Sequence, residues 1–306
     1  MTEFSGHIED YLRLRRALGF KLEREGQLLT QFGAFLEASG AAVITREIAI
    51  AWAREPEGVQ PNQWAKRLGV VRVFAAYLQT IDPTTEVPPA GVFPSRRHRP
   101  TPYLWSERDI CGLLEGARAL SSPLRAATHE ALFGLLAASG MRIGEAVGLQ
   151  RDDVDLDRGV ITIRQAKFDR SRLVPLHVTT TEALCRYAAE RDRLCPRPRR
   201  STFFLSNVGT PLGRSGVEKV FREITSALGV RTATVHPRVH DLRHSFAVRT
   251  LIEWQRGGVS IDQGMGTLAN YLGHVNPADT YWYLSAAPEL MELAAERLSA
   301  SFGVVR

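Results

Sequence analysis

Apolar residues recur every three to four positions through the first part of the chain, the spacing of helices with one buried face. In "HIEDYLRLRRALGF" the stripe is Ile8, Tyr11, Leu12 and Leu18. In "LEREGQLLTQFGAFLEASG" it is Leu28, Leu29, Phe32, Phe35 and Leu36, with Gly40 a natural stop. "NQWAKRLGVVRVFAAYLQTI" carries it on through Trp64, Leu68, Val71, Phe74 and Leu78. These stripes predict a helical domain over residues 1–90. The pattern breaks in "DPTTEVPPAGVFPSRRHRPTPYL", whose proline content and basic end predict a linker over 91–105.

A helical period returns after "SERDI", where Ser106 and the acids behind it carry an N-cap signature. "THEALFGLLAASGMRIGEAVGL" is helical around Leu132, Leu135 and Leu136, with an interruption at Gly140. "GVITIRQAKFDRSRLVPL" alternates with period two on both sides of a polar turn, which predicts a β-hairpin over about 160–176. Helical patterns follow at 179–193, 214–228 and 240–254. The expected fold is therefore α+β: a helical N-terminal domain, then a mainly helical domain over 106–287 with a small antiparallel sheet. Residues 288–306 close the chain as an amphipathic helix through Leu290, Met291, Ala294, Leu298 and Phe302.

Charge narrows the partners. Among 306 residues, 39 are Lys or Arg and 33 are Asp or Glu, leaving +6. That excess favours an anionic partner, nucleic acid before a membrane surface, because the chain has no lipidation motif and no long apolar run. Lys66, Arg67 and Arg72 opposite the apolar stripe, and Arg96, Arg97 and Arg99 in the linker, are candidate phosphate contacts. Cys111, Cys185 and Cys195 make no CxxC or evident disulfide framework, and the amino terminus is unlike a secretory signal, which fits a reducing cytoplasm.

Four short stretches hold the residue types of phosphoryl chemistry. "SGMRIGEAVGL" places Arg142 and Glu145 three apart on one helical face; the hairpin carries Lys167 and Arg170 at its turn and Arg172 beyond, both arginines being candidate surface contacts to DNA. "VHDLRHSFA" supplies His240, Arg243 and His244, and "LGHVNPADTYWYL" supplies His274, Tyr281 and Tyr283. Each alone has an ordinary reading: an ion pair, an exposed turn, an aromatic core. His240 and His244 have the spacing of a zinc pair, but Asp241 stands where a zinc protease carries glutamate and a third ligand is lacking. No metal and no cofactor is expected.

In order, Arg142, Lys167, His240, Arg243, His274 and Tyr283 resemble the tyrosine recombinase family, the phage-integrase type of DNA breaking-and-joining enzymes. "SGMRIGEAVGL" resembles its first arginine box, "HDLRHSFA" its second, and "LGH" followed nine residues later by tyrosine its closing motif. The resemblance implies Tyr283 as nucleophile; Tyr281 would project about 200° away on one regular helix. It implies Arg142 and Arg243 as a clamp on the phosphate oxygens, with His274 a supporting donor. His240 would contact the phosphate or help with the tyrosine proton, and Glu145 would orient a neighbour. Lys167 would protonate the leaving 5′ oxygen, although Ala166 and Phe168 flank it where the family commonly has glycine. The implied product is a 3′-phosphotyrosyl link formed without metal or ATP. Implied partners are double-stranded DNA, further copies of the chain (a tetramer of two dimers on DNA, with 288–306 docking in trans) and sister recombinases. The implied setting is the bacterial nucleoid, as an integrase or transposase of a mobile element. A type IB-like topoisomerase and a non-catalytic DNA-binding regulator are the rival readings.

Overall fold

The computed structural model describes residues 3–94, 101–164, 171–259, 261–274, Thr280 and Tyr283. The chain divides into two compact units, Met1–Pro100 and Thr101–Arg306. In the first unit the apolar stripes fold as α1 (Glu3–Ala17) and α2 (Glu23–Ala38), then, after α3 (Arg46–Arg54), as α4 (Pro61–Leu78). The Thr45 hydroxyl opens α3 by accepting from the Ile48 amide. Leu29, Phe32, Leu36, Trp52 and Phe74 fill the core these helices share. Leu18 falls beyond the end of α1 and is exposed, so the first stripe is shorter than the sequence suggests. Phe93 packs into the same core against Trp64, which extends the unit into the expected linker.

The linker is shortened from its other end too. Trp105 is buried in the second core, and its amide donates to the Ser245 hydroxyl at 2.8 Å. Ser106 and Asp109 then form the cap of α5 (Glu107–Arg118). The next helix, α6 (Pro123–Ser139), buries Leu132, Leu135 and Leu136 and ends at Gly140, whose φ is 60°. After short α7 (Ile143–Gly148) come β1 (Val154–Asp155), β2 (Val160–Arg164) and β3 (Ser171–Pro175), an antiparallel sheet in the order β1-β2-β3. Ile161 faces Val174 across the hairpin and Ile163 faces Arg172.

The remaining helices are α8 (Val178–Leu194), α9 (Arg214–Ala227), α10 (Val239–Arg256) and α11 (Ile261–Leu272). Leu251, Met265, Leu268 and Leu272 make a small second core between α10 and α11, and the Tyr283 ring packs into it. Lys167, Arg170, Arg96, Arg97, Arg99, Tyr281 and the segment 288–306 lie outside the described residues. Among the described residues no helix is long and apolar enough to cross a membrane. All three cysteines are free thiols.

Candidate active site

α10 begins where the Asp241 carboxylate accepts from the Arg238 amide at 2.8 Å, so the acid after His240 is a helix cap. That start sets the His240 and His244 rings one turn apart, edge to face at 4.6 Å, with Arg243 between them in sequence. Arg243 is buried. Its Nη1 donates to the Gly140 carbonyl at 2.7 Å, and its Nη2 to the Leu272 carbonyl at 2.8 Å and to His274 Nε2 at 2.8 Å. Both carbonyls belong to helix ends, of α6 and α11, where unpaired acceptors and the negative end of the helix dipole favour a cation. Burial pulls the Arg243 pKa down, Tyr283 opposes that, and the Arg142 cation adds to it.

The sequence puts Arg142 on a helical face with Glu145. Arg142 instead stands at the N-cap of α7, outside the helix, with extended backbone. Its amide and Nη1 both donate to Glu145, each at 2.9 Å, while Nη2 donates to the Gly273 carbonyl at 2.9 Å. At 38% side-chain exposure it opens the site to solvent. Glu145 also receives Arg172, whose Nη1 and Nη2 donate at 3.0 and 2.8 Å; Arg172 Nε donates to the Tyr271 carbonyl at 3.0 Å. Burial pushes the Glu145 carboxyl up, but the hydrogen bonds from Arg172 and Arg142 outweigh it and hold the pKa below its ordinary value. Arg172, expected at the DNA, therefore points inward beside Val174 and ties the hairpin to α7 and α11.

His274 follows α11. An arginine can only donate, so His274 Nε2 accepts from Arg243, and Nδ1 carries the proton that goes to the Thr280 hydroxyl at 2.6 Å. Here His274 is an acceptor that orients Arg243, where the sequence expects a donor aimed at the phosphate. Thr280, 1% exposed, holds that ring in place; nothing in its spacing marks it in the sequence.

Tyr283 is 2% exposed. Its ring stacks on His274 at 5.9 Å and meets the edge of His244 at 5.3 Å, while its hydroxyl shares a hydrogen bond with Arg243. The Tyr283 ring is packed as core while its oxygen lies beside a guanidinium. That neighbour sets a fixed cation beside the oxygen. Burial, with nearby cations adding, holds His240 down to about 4 and His244 to about 3, so both rings are neutral at pH 7. A neutral His240, exposed at the rim, can accept a proton or donate from its N–H. Among the described residues no three His, Cys, Asp or Glu side chains gather to hold a metal.

Two guanidiniums, three histidines and a phenol thus meet in one cluster, a donor set suited to an anion beside a nucleophile. The sequence of the phage integrase family matches residues 111–289 of this chain. A Sinorhizobium fredii protein named as an integrase/recombinase is 44% identical over 306 residues, 97% of this chain and 98% of its own. The chain belongs to the phage integrase family of tyrosine recombinases. The tyrosine recombinase XerD of Listeria monocytogenes is 30% identical over 237 residues, 76% of this chain and 74% of its own. The fold is also that of the Tn1549 transposon integrase solved with a circular intermediate DNA. That match has a TM-score of 0.66 at 16% identity and covers 95% of this chain and 99% of the other. A lambda integrase dimer bound to a core site gives 0.60 at 15% identity, covering 91% and 76%.

Tyrosine recombinases are DNA strand-transferring enzymes. In this recombinase the outlying candidates differ in what they have left to offer DNA. Lys66 is exposed on α4 and Arg72 is half-buried there. Arg67 lies over the Trp52 ring at 3.8 Å, donates to the Trp52 carbonyl at 2.9 Å and pairs with Glu55 at 3.4 Å, so its charge is used within its own unit.

Proposed function

We propose that this chain is a site-specific DNA recombinase in which Tyr283 attacks a phosphodiester of double-stranded DNA. The phenol oxygen bonds to phosphorus as the bond to the 5′ oxygen breaks, leaving a 3′-phosphotyrosyl link and a 5′ hydroxyl. The leaving oxygen takes a proton, for which Lys167 is the assigned donor. Attack by a new 5′ hydroxyl reverses the step on a second strand, so the exchange consumes no nucleotide. Arg142 and Arg243 bear the charge that develops on the non-bridging oxygens, because each is a fixed, permanently protonated fork. The observation that carries this reading is the hydrogen bond between the Tyr283 hydroxyl and Arg243 within one chain, with Arg142 close enough to bear on the same guanidinium.

The named relatives support an integrase or transposase of a mobile element whose copies gather on DNA. The test is a suicide duplex, nicked next to the cleavage position, drawn from DNA flanking the gene. Wild-type protein should form a complex that survives denaturing electrophoresis, and Tyr283→Phe should bind the duplex and form none. An adduct in the Tyr283→Phe protein would end the assignment.

A further inference from the structure

The first unit holds a cavity of about 560 Å³, lined from α1, α2 and α4. That is within the range of small-molecule sites, roughly 300–1,000 Å³. Leu22, Leu28, Val70 and Val73 give it an apolar wall. Arg15, Arg24, Lys66 and Arg67 line it as well, against one acid, Glu25, among the described residues. Arg67 is paired with Glu55 at 3.4 Å. Arg15, Arg24 and Lys66 form no ion pair among the described residues, so the lining keeps an excess of positive charge.

Two further features point to a ligand. Arg15 lies over the Phe20 ring at 4.1 Å and Arg67 over the Trp52 ring at 3.8 Å. The Nε of each is buried and has no hydrogen-bond partner among the described residues. Buried N–H groups are nearly always paired, so two such donors on one cavity call for an acceptor. The aromatic faces hold both guanidiniums in place, and an incoming oxygen meets them already oriented. Leu22, just before α2, has a φ of 45°, the one positive value outside glycine among the described residues. That backbone is costly for a residue with a Cβ, and such residues gather at ligand clamps.

An occupant that suits both parts of this wall carries an apolar body and an anionic pair of oxygens. A bare anion would leave the apolar wall in water, and an uncharged chain would leave the cations unmatched. We propose that this cavity binds a free amphipathic carboxylate, its chain against Leu28, Val70 and Val73 and its carboxylate on Arg15. Arg15 is the anchor rather than Arg67, because Nη2 of Arg67 already donates to the Trp52 carbonyl. The site lies wholly within the first unit, so it stands apart from Tyr283 and from the strand-cleavage reading.

The experiment is isothermal titration calorimetry of the full chain without DNA, with octanoate as the probe. Octanol, propionate and inorganic phosphate are titrated separately. Wild type should take up one equivalent of octanoate per chain. Octanol lacks the charged hydrogen bonds and should bind roughly tenfold more weakly, as propionate and phosphate should for want of the apolar body. Arg15→Met keeps a stem over Phe20 and should weaken octanoate roughly tenfold while leaving octanol unchanged. Val73→Glu changes a residue that is 51% exposed and sets a like charge on the apolar wall, so it should weaken octanoate too. Arg193→Met is the charge control and should match wild type, since Arg193 lies on α8 paired with Glu190. Absence of octanoate binding overturns the proposal, as do octanol binding equally well and octanoate affinity unchanged in Arg15→Met. An equal loss in Arg193→Met overturns it as non-specific charge attraction, and phosphate binding as tightly as octanoate overturns it in favour of a phosphate seat. Should Arg15→Met lose the wild-type circular dichroism, Val73→Glu decides alone, and unchanged octanoate affinity there overturns the proposal.

Discussion

Replacing Arg172 with methionine would leave the Glu145 carboxylate buried and deprived of two donors. The pair is 13% and 14% exposed, with parallel bonds of 3.0 and 2.8 Å, so solvent screens it little. Removing one partner of such a pair costs about 3–5 kcal/mol. Arg142 stays on Glu145, which puts the loss near the lower bound, about 3 kcal/mol. At a urea dependence of roughly 3 kcal/mol per molar the unfolding midpoint falls by about 1 M. Replacing Trp52 and Trp64 by phenylalanine would remove the tryptophan emission of the first unit, so that Trp105, Trp254 and Trp282 of the second unit report. The decisive measurement is the double-mutant cycle with Glu145→Gln. A neutral amide no longer needs the cation, so the double variant should be about 1–2 kcal/mol more stable than the sum of the single losses. Additivity within about 0.5 kcal/mol would refute the reasoning and return Arg172 to the surface role that the sequence suggests.

Two further outcomes follow from the same geometry. The unfolded chain protonates histidine below about pH 6.5, whereas the folded chain keeps His244 neutral down to about 3. Stability is therefore full above pH 6.5 and declines as pH falls toward 3. His240 acts in the same sense, weakened by its exposure, and Glu145 adds its loss only below about 4.5. Thermal melts of His244→Phe between pH 8 and 5 should show a flatter decline than wild type. Gly140→Ala would put a Cβ at 2.5 Å from the Phe246 ring at a φ of 60°, costing about 1–3 kcal/mol. Because the Gly140 carbonyl holds Arg243, adduct formation at saturating DNA should slow as well, which single-turnover cleavage would read.

The elements were legible because their periods are local. Stripes at 179–193, 214–228 and 240–254 correspond to α8, α9 and α10, which run from Val178, Arg214 and Val239 to Leu194, Ala227 and Arg256. Strand parity was not legible at Arg172. In "SRLVP" either Leu173 or Val174 can claim the inner face; Val174 takes it, Leu173 is 64% exposed, and Arg172 goes inward with Val174. Arg67 was misleading for a related reason, since a helix stripe says which face is apolar but not which aromatic ring will lie beneath a flanking cation. The carbonyls of Gly140, Leu272 and Gly273 left no trace at all, because backbone acceptors are common to every residue and only tertiary folding aims them.

Those carbonyls have a consequence for biosynthesis. A polypeptide emerging from the ribosome through α10 already owns Arg142 and Arg243, yet lacks the Leu272 and Gly273 acceptors, the His274 ring and the Tyr283 phenol. On the proposed assignment, strand cleavage waits until translation has passed residue 283.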